Sequence, residues 1–553
     1  MARGILPDAN MASAEHDEPW PGGRTNHYLF DLNRDWFAQT QPETRAHAKA
    51  FLQWMPLAFV DAHEMGSNST YFFAPEADPY NPQITDAQRQ SLVLFGQTNA
   101  KRFDAQGIDY FTREVFDAFY PGYGASWPTY HGSIAMTYEQ ASSRGLVATR
   151  YDGTQFAFAE TVRNHFLTSL GTIETVSTHR ETLLKQFYEY RRSAIEEGEK
   201  GPIKSYVFPA VDNSGSAFAL ATVLARQGID VYQASQSFNV CGSKFSSGSY
   251  FVNLNQPEKR LIQTLLATDV ALPEAFVAEE QDRSDRGLGS QVYDVTAWSL
   301  PLMFDVQSVE CSKRIAVAGE LFSAPSSAER ASPWIKAQLS YLVPWGSRAA
   351  NLFMTQALRA GVKMKGTDLD FNHQGRAYGR GTLVINVHQN SDSIHTVVKD
   401  LVAKTGVEVV AVDDSWITEG PNFGSSSFVA MNAPKVAMVW DEPTNPYSAG
   451  STRFVLEQMF EYPVTVVRAS ALKRFDLDAF DVLLIPDGKY QRYLSALGGG
   501  VVDRLRDWVA KGGVLISLAN ATSFLAHPEV DLLSIRRERL AKEIISGTEP
   551  TQP

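Results

Sequence analysis

The sequence predicts an α/β protein, because short apolar β-prone runs alternate with helix-like stretches over most of its 553 residues. Two further observations carry that prediction. An internal repeat is present: SYVFP at 205–209 returns as SYLVP at 340–344. Each copy continues through an Ala/Leu-rich helical segment, a Gly-led strand (QGIDVY, AGVKMK), a Gly-started strand (GSYFVNLNQ, GTLVINVHQ) and a closing helix. The last region alternates PKVAMVW, VTVVRA, DVLLIPDG and GGVLISLAN with helical segments, the pattern of a doubly wound parallel sheet.

At roughly 100–200 residues per domain, the length predicts three or four domains, divided here as 1–200, 201–335, 336–430 and 431–553. The first is rich in aromatics and loops. It is expected to hold a helix over 42–53, an apolar strand over 56–61, a helix over 85–106 and a strand over 133–138. A long charged helical stretch follows over 161–201, and its end, AIEEGEKG, marks a boundary. The two middle segments are the repeated α/β modules. In the last segment helices are expected over 451–460 and 501–511, and the charged, then polar tail from Ile535 to Pro553 is expected to fray.

Composition narrows the function classes. With 44% hydrophobic and 20% charged residues, and Pro and Gly dispersed, the chain reads as an ordinary globular protein. The formal net charge of −12 argues against nucleic acid or an anionic membrane as the main partner, without excluding a local basic pocket. The longest apolar stretches reach about ten residues, short of the ~20 a membrane helix needs. The first twenty residues lack the apolar core of a signal peptide and read as a polar loop. Cys241 and Cys311 are too few for a disulfide framework or an all-cysteine zinc site; whether they pair stays open.

Three segments of the first region set polar functional groups beside apolar strands: FDLNRDW at 30–36, FVDAHEMGSNSTYFFAP at 59–75 and SIAMTYEQASSRG at 133–145. Each has a plain structural use. Asp-Leu-Asn-Arg can cap a helix or pair locally, and His63 can serve as a structural histidine. Glu139, flanked by Met136 and Tyr138, is harder to explain away, since a carboxylate on an apolar strand is costly to bury unless paired or functional.

Taken together, the order and spacing of these segments over about residues 15–150 resemble the zinc carboxypeptidases, the carboxypeptidase A-like metallopeptidases. The resemblance implies a mixed-sheet α/β domain in which Asn33 and Arg34 grip the terminal carboxylate of a peptide substrate. A planar guanidinium suits that task because it binds a carboxylate bidentately. It also implies His63 as a ligand of one Zn2+ and Glu139 as general base to the zinc-bound water. By the same resemblance Arg24 stabilises the oxyanion, and Tyr123 or Tyr120, in YPGYGASWPTYHG, closes over the substrate. Local aromatic packing is the alternative use of those tyrosines.

The departure from the family is the HxxE motif that supplies its other two zinc ligands. None precedes Asn33, and Glu15, His16 and Glu18 have the wrong spacing. The resemblance therefore implies an N-terminally incomplete catalytic domain that binds zinc weakly and hydrolyses peptides poorly, with an upstream segment restoring both. It further implies export, to the periplasm or beyond.

The C-terminal region resembles the flavodoxin-like, class I glutamine-amidotransferase-like fold, with DVLLIPDG as a central strand. Ala519 and Asn520 stand where that superfamily carries its thiol, which implies a catalytically empty domain used for scaffolding or substrate positioning, with partner docking as a further alternative. GGG at 498–500 lacks the features of a phosphate loop, and HEMGS lacks the second histidine of HExxH. The expectation is a metallocarboxypeptidase-like hydrolase; the alternative is a binding protein that holds a carboxylate-bearing peptide through Arg34 and Arg24 without turnover.

Overall fold

The computed structural model describes residues 8–13, 16–210, 214–292, 297–323 and 334–535. The expected fraying beyond Ile535 lies outside the described residues. The chain is mixed α/β and divides into two compact units, Met1–Glu18 with Leu32–Ser326, and Pro19–Asp31 with Ser327–Pro553.

The first unit opens with α1 (Pro42–Trp54), which has Pro at its start and ends at Met55 in the left-handed region. Next come β1 (Ala58–Met65), β2 (Tyr71–Phe72) and α2 (Asp86–Asp104), the last closed by a Thr85/Gln88 capping box. Then follow β3 (Ile134–Ala141), the hairpin β4 (Val147–Thr149) and β5 (Gln155–Ala157), and α3 (Phe158–Thr178). The long charged stretch is two helices, not one. α3 stops and α4 (Arg180–Lys200) starts at His179, whose φ of −108° and ψ of 19° are not helical.

A three-stranded mixed sheet in the order β1-β3-β2 carries the candidate site. β1 runs parallel to β3 and β2 antiparallel to it. Both β1 and β3 extend past the expected ends at 61 and 138, because their ladder continues in unbroken register through Asp61↔Thr137 and His63↔Glu139 to Met65↔Ala141. Tertiary pairing overrides the polarity that had suggested strand ends.

The first repeat continues the same unit with β6 (Ser205–Phe208), α5 (Ser214–Arg226), β7 (Val231–Ala234), the hairpin β8 (Phe238–Val240) and β9 (Ser243–Phe245), and β10 (Tyr250–Asn253). It closes with α6 (Lys259–Leu266), α7 (Glu274–Asp285), α8 (Leu300–Met303) and two edge strands, β11 (Val309–Cys311) and β12 (Gly319–Leu321). The sheet is antiparallel, in the order β11-β6-β10-β7-β12. Cys241, in the turn of the hairpin, is disulfide-bonded to Cys311 on the edge strand, with Cα atoms 5.7 Å apart. One hydrophobic core joins this module to the preceding region: Trp36, Phe51 and Trp127 pack with Tyr206, Leu220 and Leu261. Gln227 bridges the two parts, accepting from Trp127 Nε1 and donating to the carbonyl of Phe37.

The second unit repeats the design. β13 (Ser340–Val343), α9 (Arg348–Arg359), β14 (Met364–Thr367), the hairpin β15 (Phe371–His373) and β16 (Arg376–Tyr378), β17 (Leu383–Asn386) and α10 (Ile394–Thr405) lead to edge strands β18 (Val410–Val412) and β19 (Phe428–Met431). The antiparallel order β18-β13-β17-β14-β19 reproduces that of the first module. SYVF and SYLV are buried throughout, since both faces of each sheet are covered. Tyr206 and Phe208, like Tyr341 and Val343, face the helices, whereas Val207 and Leu342 face the hairpins. The hairpins carry matching stacked pairs, Phe238 on Phe245 and Phe371 on Tyr378.

The chain ends in β20 (Val436–Trp440), α11 (Pro446–Phe454), β21 (Val464–Arg468), β22 (Val482–Ile485), α12 (Tyr490–Ala510), β23 (Val514–Ser517) and α13 (Asn520–Leu525). These four strands are parallel, in the order β21-β20-β22-β23. α11 begins at Pro446, not 451, because Asn445 caps it by accepting from Tyr447 and Ser448. α12 begins at Tyr490, not 501, and continues across a kink at Gly498.

The segment Pro19–Asp31 is seated on this sheet domain. Trp20 Nε1 donates to the Thr444 carbonyl at 2.9 Å while its ring meets Trp440 edge-on, and Tyr28 OH donates to Glu457 at 3.2 Å. The backbone of Tyr28 passes so close to Gly450 that a Cβ there would lie 2.0 Å from its carbonyl oxygen.

Candidate functional site

On adjacent parallel strands, residues in register point to the same face of the sheet. His63 on β1 and Glu139 on β3 are such partners. Asp61, two residues before His63, shares that face. Glu139 sits on the central strand with only 9% of its surface exposed, so its carboxylate is largely removed from water.

The remaining members come from loops. Leu32–Arg34 forms one turn of 3-10 helix. It is secured from behind by Asp35, which accepts from the N–H and hydroxyl of Thr40 and the N–H of Gln41. Burial raises the Asp35 pKa, and those hydrogen bonds oppose the rise. Asn33 is oriented by Gly124, whose N–H donates to Oδ1 at 2.6 Å; its Nδ2 then lies 3.2 Å from His63 Nε2. Asp61 Oδ2 lies 2.9 Å from the same ring nitrogen. In one tautomer Nε2 therefore accepts from Asn33, and in the other it donates to Asp61.

Arg34 donates to the Asn33 carbonyl at 2.9 Å, and its guanidinium lies 4.6 Å from the centre of the Tyr123 ring. Tyr120 OH donates to the Arg34 carbonyl at 2.8 Å, and the two tyrosine rings meet edge-on. Both tyrosines are buried, so in this conformation they support Arg34 from below rather than project over it. Arg24 lies in the segment counted with the second unit, where it pairs with Asp31 at 2.8 Å.

Three participants were not singled out from sequence: Asp61, Gly124 and His165. His165 Nε2 donates to the His63 carbonyl at 3.1 Å, which leaves Nδ1 to accept from Tyr71 OH at 2.8 Å. Burial lowers the His165 pKa and keeps the ring neutral. The signal for Gly124 was its place in the GYGAS run.

The zinc implied by the resemblance can be tested against the donors present. A catalytic zinc takes three protein ligands and keeps one open position. Among the described residues no group of three or more His, Cys, Asp or Glu is placed to hold a metal, and His63 Nε2 already faces Asp61 and Asn33. The described donors do not by themselves complete a catalytic zinc set.

In the C-terminal sheet domain, Ala519 follows β23 with φ 47° and ψ −122°, the sharp strand-to-helix backbone on which a nucleophile is usually displayed. A methyl group occupies that position.

No family model, curated protein or solved structure matches the chain. Among the described residues no helix is long and apolar enough to cross a membrane.

Proposed function

We propose that the chain carries the substrate-carboxylate and acid/base portion of a zinc-carboxypeptidase-like peptide hydrolase. The supporting observation is the contact of Asn33, the chain neighbour of Arg34, with His63, which stands in register with Glu139. In this reading Arg34 binds the free carboxylate at a peptide's C-terminus, Asn33 orients His63, and Glu139 exchanges a proton with water at the scissile amide. His63 is one candidate ligand of a zinc ion whose remaining ligands the described residues do not supply, so little turnover is expected. The Cys241–Cys311 bridge supports an exported location, because such bonds persist in oxidising compartments.

A second reading is carboxylate-dependent peptide binding without turnover, which needs the Arg34 guanidinium but no metal donor set; none is placed among the described residues. Binding of an N-acyl dipeptide acid and of its C-terminal amide, with hydrolysis followed in parallel at added zinc, tests both. The acid is expected to bind at least ten-fold more tightly than the amide, and Arg34→Ala to erase the difference. Hydrolysis that disappears in Glu139→Gln while binding persists supports the enzyme; binding with no hydrolysis supports the second reading. Equal binding of acid and amide rejects both.

A further inference from the structure

Away from this site, the end of β11 and the start of β6 enclose a concavity of about 340 Å³ lined by Lys204, Lys313, Arg314, Ser312, Asn255 and Glu199. Its three cations stand on an acidic protein, net charge −12. Among the described residues none of them has a carboxylate within the 4.0 Å of an ion pair, Glu199 included. Like charges left together in this way raise the local potential and favour an anion between them.

The loop that presents them is fixed. Cys311 is held by the disulfide and by its carbonyl, which accepts from Lys204 N–H at 2.7 Å. Ser205 Oγ donates to the Lys313 carbonyl at 2.8 Å. Buried Asn253 clamps Ile315 from both sides, accepting from its N–H and donating to its carbonyl, each at 3.0 Å. Residues 312–314 are thus tied at both ends while their side chains are exposed to solvent. A loop fixed in this way loses less entropy when a ligand arrives.

We propose that this concavity binds a small phosphate-bearing anion. Arg314 offers the planar fork that matches phosphate oxygens, and Lys204 and Lys313 act as point charges. Ser312 and Asn255 add neutral donors for the remaining oxygens. The volume, at the lower end of the range for ligand pockets, suits a phosphate or diphosphate with a small organic group. The site is separate from the Arg34 carboxylate site, so its failure leaves that reading untouched.

Calorimetric titration with inorganic pyrophosphate and with phosphate, at ionic strength balanced with sodium chloride, tests the proposal. Saturable one-to-one binding is expected, at least ten-fold weaker in Lys313→Ala and in Arg314→Ala, and unchanged in Lys511→Ala, an exposed lysine outside the pocket lining. Because the substituted side chains are exposed, matching melting temperatures will certify the fold of each variant. Absence of saturable binding, heats that follow ionic strength alone, or equal affinity in wild type and both pocket variants would overturn it.

Discussion

A Cβ placed on Gly124 would lie 2.5 Å from Asp61 Oδ2 and 3.1 Å from its Cγ. Only a residue without a side chain lets the 124 backbone reach Asn33 while Asp61 keeps its contact with His63. Gly124→Ala is therefore expected to push Asp61 away from the ring and turn Asn33. The Asp61 tip can move, so the stability loss should fall at the low end of the ~1–3 kcal/mol typical of overpacking. Affinity for a dipeptide acid should fall by about ten-fold or more. Denaturant unfolding and calorimetry on the same preparation separate the two, and an unchanged affinity would count against the role given to Asn33.

His131 is fully enclosed by Phe51 and Trp127, and among the described residues neither of its ring nitrogens has a hydrogen-bond partner. Burial, with a smaller contribution from Arg191, lowers its pKa to about 3. The unfolded chain binds a proton near 6.5 that the folded state refuses, so this group's share of stability is intact above pH 6.5 and is lost as the pH falls toward 3. An orphaned buried polar group costs about 1–3 kcal/mol, and His131→Phe is expected to recover about 1 kcal/mol at pH 7 and more at pH 5. Urea unfolding at the two pH values measures both quantities.

Glu76 has the opposite slope. Burial raises its pKa to about 7, although Tyr80 OH donates to it. Its contribution is full below the unfolded value of 4.5 and is lost as the pH rises through 7. Glu76→Gln should therefore stabilise the protein at pH 8 and change little at pH 4.5. Equal effects at both pH values would show that folding leaves the titration of this carboxyl group unshifted.

Ala519 holds a backbone conformation with φ 47° and ψ −122°, which costs a non-glycine residue of order 1–3 kcal/mol. Ala519→Gly relieves it and gives back part of the gain in chain entropy, for a net stabilisation of about 1 kcal/mol. Ala519→Val should destabilise by more than that, through its branched Cβ. Melting curves of the pair decide the matter: two variants of equal stability would mean the turn is unstrained.

The Cys241–Cys311 bridge closes a loop with a sequence separation of 70. Loop-closure entropy of that length corresponds to about 4 kcal/mol. Replacing both cysteines by alanine should lower unfolding stability by roughly 2–4 kcal/mol, measured against wild type in denaturant. A loss below 1 kcal/mol would indicate that the 205–315 region keeps its shape without the bond.

Much of the fold was legible because both repeats write their central strands as short, wholly apolar runs, and the terminal sheet alternates such runs with helices. The edge strands were not. Val309–Cys311 and Gly319–Leu321 contribute only three residues each, and the exposed Gly-Glu-Leu has no periodicity to read. At the candidate site, Asn33, Arg34, His63 and Glu139 stood out as polar groups on apolar surroundings. Asp61 did not, because its part depends on a neighbour two residues on and a loop sixty residues away. The seat of the Arg24 segment was not legible either, since Trp20 and Tyr28 on either side anchor it to Thr444 and Glu457, more than four hundred residues on.

That anchoring makes the covalent chain pass between the two units at three places, after Glu18, Asp31 and Ser326. No single cut frees both units whole. A fragment ending at 326 keeps residues 19–31 but strips away the surface they rest on, exposing Trp20 and Tyr28. One starting at 327 leaves Trp440 and Gly450 uncovered. An intact second unit calls for co-expression of 327–553 with a peptide spanning 19–31, or for a circular permutant that splices that peptide back in.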